Sequence, residues 1–144
     1  MGKYTKVFDE CVSAIVTECQ IYPPIDYTKE KIPAPISVKE AMWDTGADIC
    51  VISQELADNL GLVPFDQIYV NGVHGEELQS LYHIHVKLPT NDIVVYAEAV
   101  IGAKNGYDLV LGMNVISQGD IAITTADDKT VFSIRIPSEG HIKF

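Results

Sequence analysis

No apolar run in this 144-residue chain is long enough to span a bilayer, and the N-terminal Met1-Gly2-Lys3-Tyr4-Thr5-Lys6 leads into no continuous hydrophobic stretch. Neither a membrane span nor a secretory signal is therefore expected. Cysteine is scarce. Cys11, Cys19 and Cys50 leave one thiol odd and show no paired metal-ligand spacing, which argues against a disulfide framework and against a zinc site. They read as small core residues of a reducing compartment, and the chain as a cytoplasmic protein or part of a longer precursor. Positive charge is also short: ten Lys and Arg face twenty Asp and Glu, a formal net charge of -10. A phosphate backbone requires a basic surface, so nucleic acid is set aside as a partner.

What is present is a folding composition. Hydrophobic residues make up 47% and charged residues 21%, enough apolar surface to close a core without staples. The length fits one domain over residues 1–144, with residues 1–35 as an N-terminal extension and first strand.

Strand signals dominate. Between Val7 and Cys19 the apolar positions match a helical stripe, but the β-branched Val12, Ile15, Val16 and Thr17 favour a strand from Ala14 to Tyr22. Pro23, Pro24, Pro33 and Pro35 bracket an exposed loop. Ile36, Val38 and Ala41 to Trp43 resume a strand, and Ile49 to Ile52 form a short one. Ser53 then caps a helix that carries Leu56 and Leu60 on one face and stops at Gly61. Ile68 to Val70 and Leu78 to Leu88 flank a glycine-bearing turn, Asn71 to Glu76, as a hairpin. Its second arm alternates Tyr82, Ile84, Val86 and Leu88 with Leu81, His83, His85 and Lys87, which leaves one face wet. Asn91-Asp92 turns the chain into Ile93 to Ile101, a loop spans Gly102 to Gly106, and Asp108 to Ile116 is an apolar strand stopped by Gly112 and followed by a short helix-like turn. A last hairpin joins Ile121 to Thr125 with Thr130 to Ile136. The class is mainly β with one clear helix, a closed or folded-over antiparallel barrel.

One stretch stands apart. In Met42-Trp43-Asp44-Thr45-Gly46-Ala47-Asp48 an apolar run ends in a carboxylate, a hydroxyl, a glycine and a second carboxylate, and another apolar run, Ile49 to Ile52, follows. Asp, Thr and Gly together form ordinary turns. A solvated turn is seldom sunk between two buried runs, however, and a carboxylate so placed shifts its pKa or finds hydrogen bonds. Gly46 permits a sharp turn and close approach of another chain, and Thr45 can donate and accept at once.

This loop resembles that of the retropepsin-like aspartic proteases, whose active site reads Asp-Thr-Gly-Ala-Asp. Two later features agree with the family in order: a flap-like hairpin, Asn71 to Gly75, and Val110-Leu111-Gly112 before a short helix. The resemblance covers roughly residues 36–136 and implies a retropepsin-like closed β-barrel that is half of a two-fold dimer. It implies Asp44 as the catalytic carboxylate, with Thr45 cross-linking two loops and Gly46 bonding the substrate main chain. Asp48, Asn71, Gly72, Val73, His74 and Gly75 would bind substrate, and Ala47, Val110, Leu111 and Gly112 would brace the loop. The chain departs from the retroviral pattern at Met113, where an arginine commonly bonds the acid that ends the loop, and at His74, where the flap commonly has glycine. Its N-terminal extension is longer too.

Aspartic catalysis needs two carboxylates that share one proton, and Asp-Thr-Gly occurs once here. An active enzyme must then be a homodimer in which each Asp44 meets its twin. No metal or other cofactor is required, and the partners expected are a second copy and a peptide or protein substrate, with no membrane. Other candidates weigh less. His83 and His85 share a strand face but have no third ligand in view; Cys50 has no base nearby in sequence; His74 reads as a solvated hairpin residue; and Asp108, Asp127, Asp128 and Lys129 read as turn or surface chemistry. Two function classes follow, an aspartic endopeptidase and an inactive retropepsin-fold module for dimerisation or peptide binding. The intact Asp44-Thr45-Gly46 favours the first, because a binding module has no reason to keep an acid where burial is costly.

Overall fold

The computed structural model describes residues 2–72, 74–90, 93–102 and 106–144. The expected turn at Asn91-Asp92, the flap residue Val73 and the centre of the loop at 103–105 lie outside the described residues. Ten strands, two short α-helices and one 3-10 turn (Ala126–Asp128) are assigned among those described: β1 (Gly2–Val7), β2 (Ile15–Tyr22), β3 (Ile36–Trp43), β4 (Cys50–Ile52), α1 (Gln54–Leu60), β5 (Asp66–Gly72), β6 (Gly75–Lys87), β7 (Val94–Ile101), β8 (Leu109–Leu111), α2 (Met113–Ile116), β9 (Asp120–Thr124) and β10 (Val131–Ile136). No helix among the described residues is long and apolar enough to cross a membrane.

The larger sheet runs β2-β3-β8-β4-β7-β6-β5, and a further β2–β6 pairing returns it on itself, so that six strands form a ring and β5 hangs from β6 as the outer arm of a hairpin. A smaller sheet, β1-β10-β9, packs beside it. The mainly β class is as read from the sequence, but the ring is mixed rather than antiparallel throughout. Strand β3 pairs in parallel with β8, and β4 in parallel with β7. Parallel neighbours need long crossovers, and the chain from β3 to β8 supplies one that carries α1 and the whole hairpin.

Alternation explains the strands. In β2 the inward residues Thr17, Cys19 and Ile21 are buried, and in the second half of β6 Ile84 and Val86 are fully buried. Ser53 caps α1 through its hydroxyl, which accepts from the Leu56 N–H at 3.1 Å, and Gly61 ends it with φ 64°, a left-handed conformation that side chains resist. Strand β1 was not visible in the sequence: Tyr4 is half-buried, and Lys3, Thr5 and Val7 are exposed. The order of β1 comes from six register partners on β10, Gly2↔Ile136 to Val7↔Val131. Of the cysteines, Cys19 and Cys50 are buried as expected, whereas Cys11 is exposed, in the irregular chain of residues 8–14 that bonds to Thr130.

The two sheets share one core at Trp43 and Phe132, whose ring centroids lie 5.1 Å apart. The indole N–H of Trp43 donates to the hydroxyl of Thr17 at 2.9 Å, and Thr17 is fully buried. This pair sits one residue before Asp44, so it fixes the end of the strand that carries the carboxylate. Replacing Thr17 with Val preserves shape but strands a buried N–H donor, and we expect a loss of about 1–3 kcal/mol. A chemical denaturation midpoint equal to wild type would show that the indole needs no acceptor there.

Candidate active site

Strand β3 delivers Asp44 as its apolar run ends. The Asp44 N–H donates to the Leu111 carbonyl at 2.9 Å, which continues the β3–β8 pairing by one residue into the loop. The chain then turns tightly: the Gly46 N–H donates to Asp44 Oδ1 at 2.8 Å, and the Ala47 N–H donates to the Asp44 carbonyl at 3.2 Å. A carboxylate that accepts from backbone N–H is oriented by its own loop. A Cβ on Gly46 would come within 3.1 Å of Asp44 Oδ1, so this glycine clears the space in which the carboxylate is held. Asp44 is half-buried, while Thr45 and Gly46 are exposed on the single chain. Burial of Asp44 is thus less complete than the flanking apolar runs suggest, because the loop emerges at the edge of the core.

The Val110-Leu111-Gly112 segment braces this loop from beneath. Val110 and Leu111 are fully buried, and Val110 pairs with both Met42 on β3 and Val51 on β4. The Met113 N–H donates to the Ala47 carbonyl at 2.7 Å, and the Asn114 N–H to the Asp48 carbonyl at 3.2 Å. Gly112 is the point of closest approach: a Cβ there would lie 2.6 Å from the Ala47 oxygen and 3.0 Å from that of Ile49. Its φ of -95° is open to any residue, so the need for glycine is steric.

Sequence reasoning missed Asn114, although it is the lone polar side chain in an apolar run. Its Oδ1 accepts from Cys50 Sγ at 3.2 Å, and its Nδ2 donates to the Glu98 carbonyl at 2.8 Å. One amide thereby ties together the end of the loop, strand β4 and strand β7. Burial pushes the Cys50 thiol up to about 11, so it is a donor to this amide and no nucleophile near neutrality.

A cavity of about 650 Å³ opens between this loop and the β5–β6 hairpin. Gly46, Ala47 and Asp48 line one side, and Ile68, Val70, Asn71 and Gln79 of the hairpin line another, with Val51, Val100 and Ile101 adding apolar wall. The structure therefore brings Asp48 and Asn71 to one space. Gly72 and Gly75 are register partners at the hairpin turn, where Gly75 has φ 105°, and His74 is exposed at the tip. Gln79 and the β-branched walls were not among the sequence candidates, because long-range pairing and not local pattern sets which hairpin residues face inward. Among the described residues no group of three or more His, Cys, Asp or Glu could hold a metal.

A family model described as gag-polyprotein putative aspartyl protease matches residues 37–118, which include the Asp44 loop, the hairpin and the Gly112 segment. The chain belongs to this family. Among solved structures it is similar to a retropepsin-like aspartic protease from Rickettsia conorii, at 12% identity over 92% of each chain with a TM-score of 0.54, which shows the shared fold. It also matches the simian foamy virus (mac) protease at 20% identity, covering 71% of this chain and 91% of that one, with a TM-score of 0.47. No curated protein matches it in sequence.

The packing at Gly112 gives a direct test. Gly112→Ala must push back the carbonyls that hold the aspartyl protease loop, and overpacking of this kind costs about 1–3 kcal/mol. An unfolding midpoint unchanged from wild type would mean that the two segments are not in contact as described.

Proposed function

We propose that the chain is an aspartic endopeptidase that works as a homodimer. The observation that carries this reading is the Asp44 carboxylate held on the Gly46 N–H, on a loop that opens to a cavity roofed by a hairpin. One chain supplies one such carboxylate. Its partner in catalysis is the Asp44 of a second copy across a two-fold axis, and Thr45 of each loop, exposed on the single chain, would cross-link the pair.

The chemistry follows from two carboxylates that share a proton. Side by side, both cannot ionise readily, so one stays protonated. The ionised Asp44 takes a proton from a water whose oxygen bonds to the peptide carbonyl carbon. The protonated Asp44 gives its proton to the carbonyl oxygen, and a neutral tetrahedral diol results. Collapse of the diol breaks the C–N bond as the leaving nitrogen takes the proton held by the pair and a diol hydroxyl returns one to it, so the water's atoms end in the carboxylic acid and the amine and the pair again holds one proton. An extended peptide in the cavity would be bound along its main chain by Gly46, Asp48 and the hairpin residues from Asn71 to Gly75, while the apolar walls take its side chains. The hairpin would close over it as a flap.

The test is Asp44→Asn. The amide Oδ1 still accepts the Gly46 N–H, so the fold should persist, but an amide cannot share the proton. Peptide cleavage should fall at least about a thousandfold, the scale of losing one member of a catalytic pair. A variant that kept most of the wild-type rate would remove Asp44 from the reaction. Wild-type specific activity should also drop on dilution through the dimer dissociation constant. An active species shown to be monomeric by light scattering would overturn the shared site.

A further inference from the structure

The face of β6 expected to be wet is partly exposed, and it carries a row of rings around two half-buried histidines. Phe65 lies against His83, with centroids 3.4 Å apart; His83 meets Tyr96 at 5.0 Å; Tyr96 meets His85 at 5.6 Å; and His85 meets Tyr27 edge-on at 6.1 Å. The last contact crosses to the proline-bracketed connection between β2 and β3. That connection makes a second contact with the same imidazole: the Ile25 N–H donates to His85 Nδ1 at 3.3 Å.

We propose that His85 is a pH-operated latch, which holds the 23–35 connection against the outer face of β6 and β7 at neutral pH and releases it on acidification. The hydrogen bond itself demands this. A ring nitrogen can accept from Ile25 only while it lacks a proton, so the latched form is the neutral imidazole with its proton on Nε2. Protonation turns the acceptor into a donor that points at another donor. No rotation of the backbone N–H repairs that conflict, and the loop must leave or the ring must turn.

The surroundings favour the neutral form. Burial lowers the pKa of His85 below its ordinary 6.5, and the neighbouring His83 lowers it further. On β6, His83 and Lys87 share its face and carry the same sign of charge when protonated. On β2, Tyr22 is its register partner, and on β7 Tyr96 is; neither brings a carboxylate to the imidazole. Glu98, the carboxylate of β7 on this face, is level with His83 and not with His85. From the loop, Asp26 is the nearest acid in sequence, but its Oδ1 is occupied by the Thr28 N–H at 3.0 Å and hydroxyl at 2.6 Å, and its Oδ2 faces Lys29. Among the described residues, then, these two carboxylates are level with another group or already bonded. The sign follows. His85 takes up a proton more readily in the released form than in the latched form, so the latch is fully engaged above pH 6.5 and is lost as pH falls below it.

The experiment is amide hydrogen–deuterium exchange on the full chain between pH 7.5 and 5.0, corrected for intrinsic rates and read at residues 25–31. One linked proton permits at most a tenfold change per pH unit, so loop protection should fall between pH 6.5 and 5.0 by less than that limit. In His85→Gln, whose carbonyl oxygen accepts without titrating, protection should no longer depend on pH. His83→Gln should move the transition to higher pH. Constant protection in wild type, or unaltered pH dependence in His85→Gln, would overturn the latch. A second readout needs no variant: the imidazole nitrogen shifts of wild type at pH 7.5 must show His85 with its proton on Nε2, and an Nδ1–H form would sink the proposal. Neither measurement requires peptidase activity.

Discussion

The structure depends on one backbone-to-backbone contact, that of Gly112 with the loop from Asp44 to Ile49. Two short segments far apart in sequence are stacked so closely that a single methyl group would meet two carbonyl oxygens. Hydrogen bonds on either side of the contact run from Asp44 to Leu111, from Met113 to Ala47 and from Asn114 to Asp48. Each is worth about 0.5–1.5 kcal/mol net, but leaving any of these groups buried and unpaired would cost more. The arrangement is therefore close to all-or-none, and it explains why parallel pairing appears at this place in the ring: β3 and β8 must run in the same direction to feed both segments into one layer.

Asn114 extends the constraint outward. Through Cys50 and the Glu98 carbonyl it joins the loop to β4 and β7, and β7 is the strand against which the second arm of the hairpin lies. Loop, wall and roof of the cavity are thus parts of one bonded framework. The retroviral pattern places an arginine beside the loop's second acid. Here Met113 occupies that position and is exposed, and the Asp48 segment is held through its main chain by the next residue.

Much of this was legible in the sequence, because the signals were local. Asp44-Thr45-Gly46 between two apolar runs, Ser53 and Gly61 around a helix, and the glycine-bearing hairpin turn each carry their own stereochemical reason, and the structure places them where that reason puts them. What the sequence hid was set by partners. Strand β1 is ordered by β10 and has little apolar pattern of its own. Asn114 looked like part of an apolar run, because a buried amide is informative only once its acceptors are known. His83 and His85 read as a solvated face, since nothing local shows that Phe65, Tyr96 and Tyr27 from three other segments pack beside them.

Why this loop can be stable within a single chain follows from where its polar groups are satisfied. The Asp44 carboxylate accepts from its own loop, and the main chain on either side is bonded to Leu111 and Met113 of the same chain. Nothing in that set waits for a second copy. On the proposed reading, then, dimerisation does not build the loop but only adds a second carboxylate to one already oriented, so the ordering entropy of the site is largely met in the monomer. What association must overcome is the repulsion of two carboxylates, and a single shared proton removes it. Proton uptake and pairing are then the same event, and the pH range over which the pair holds that proton is also the range in which the dimer is most stable.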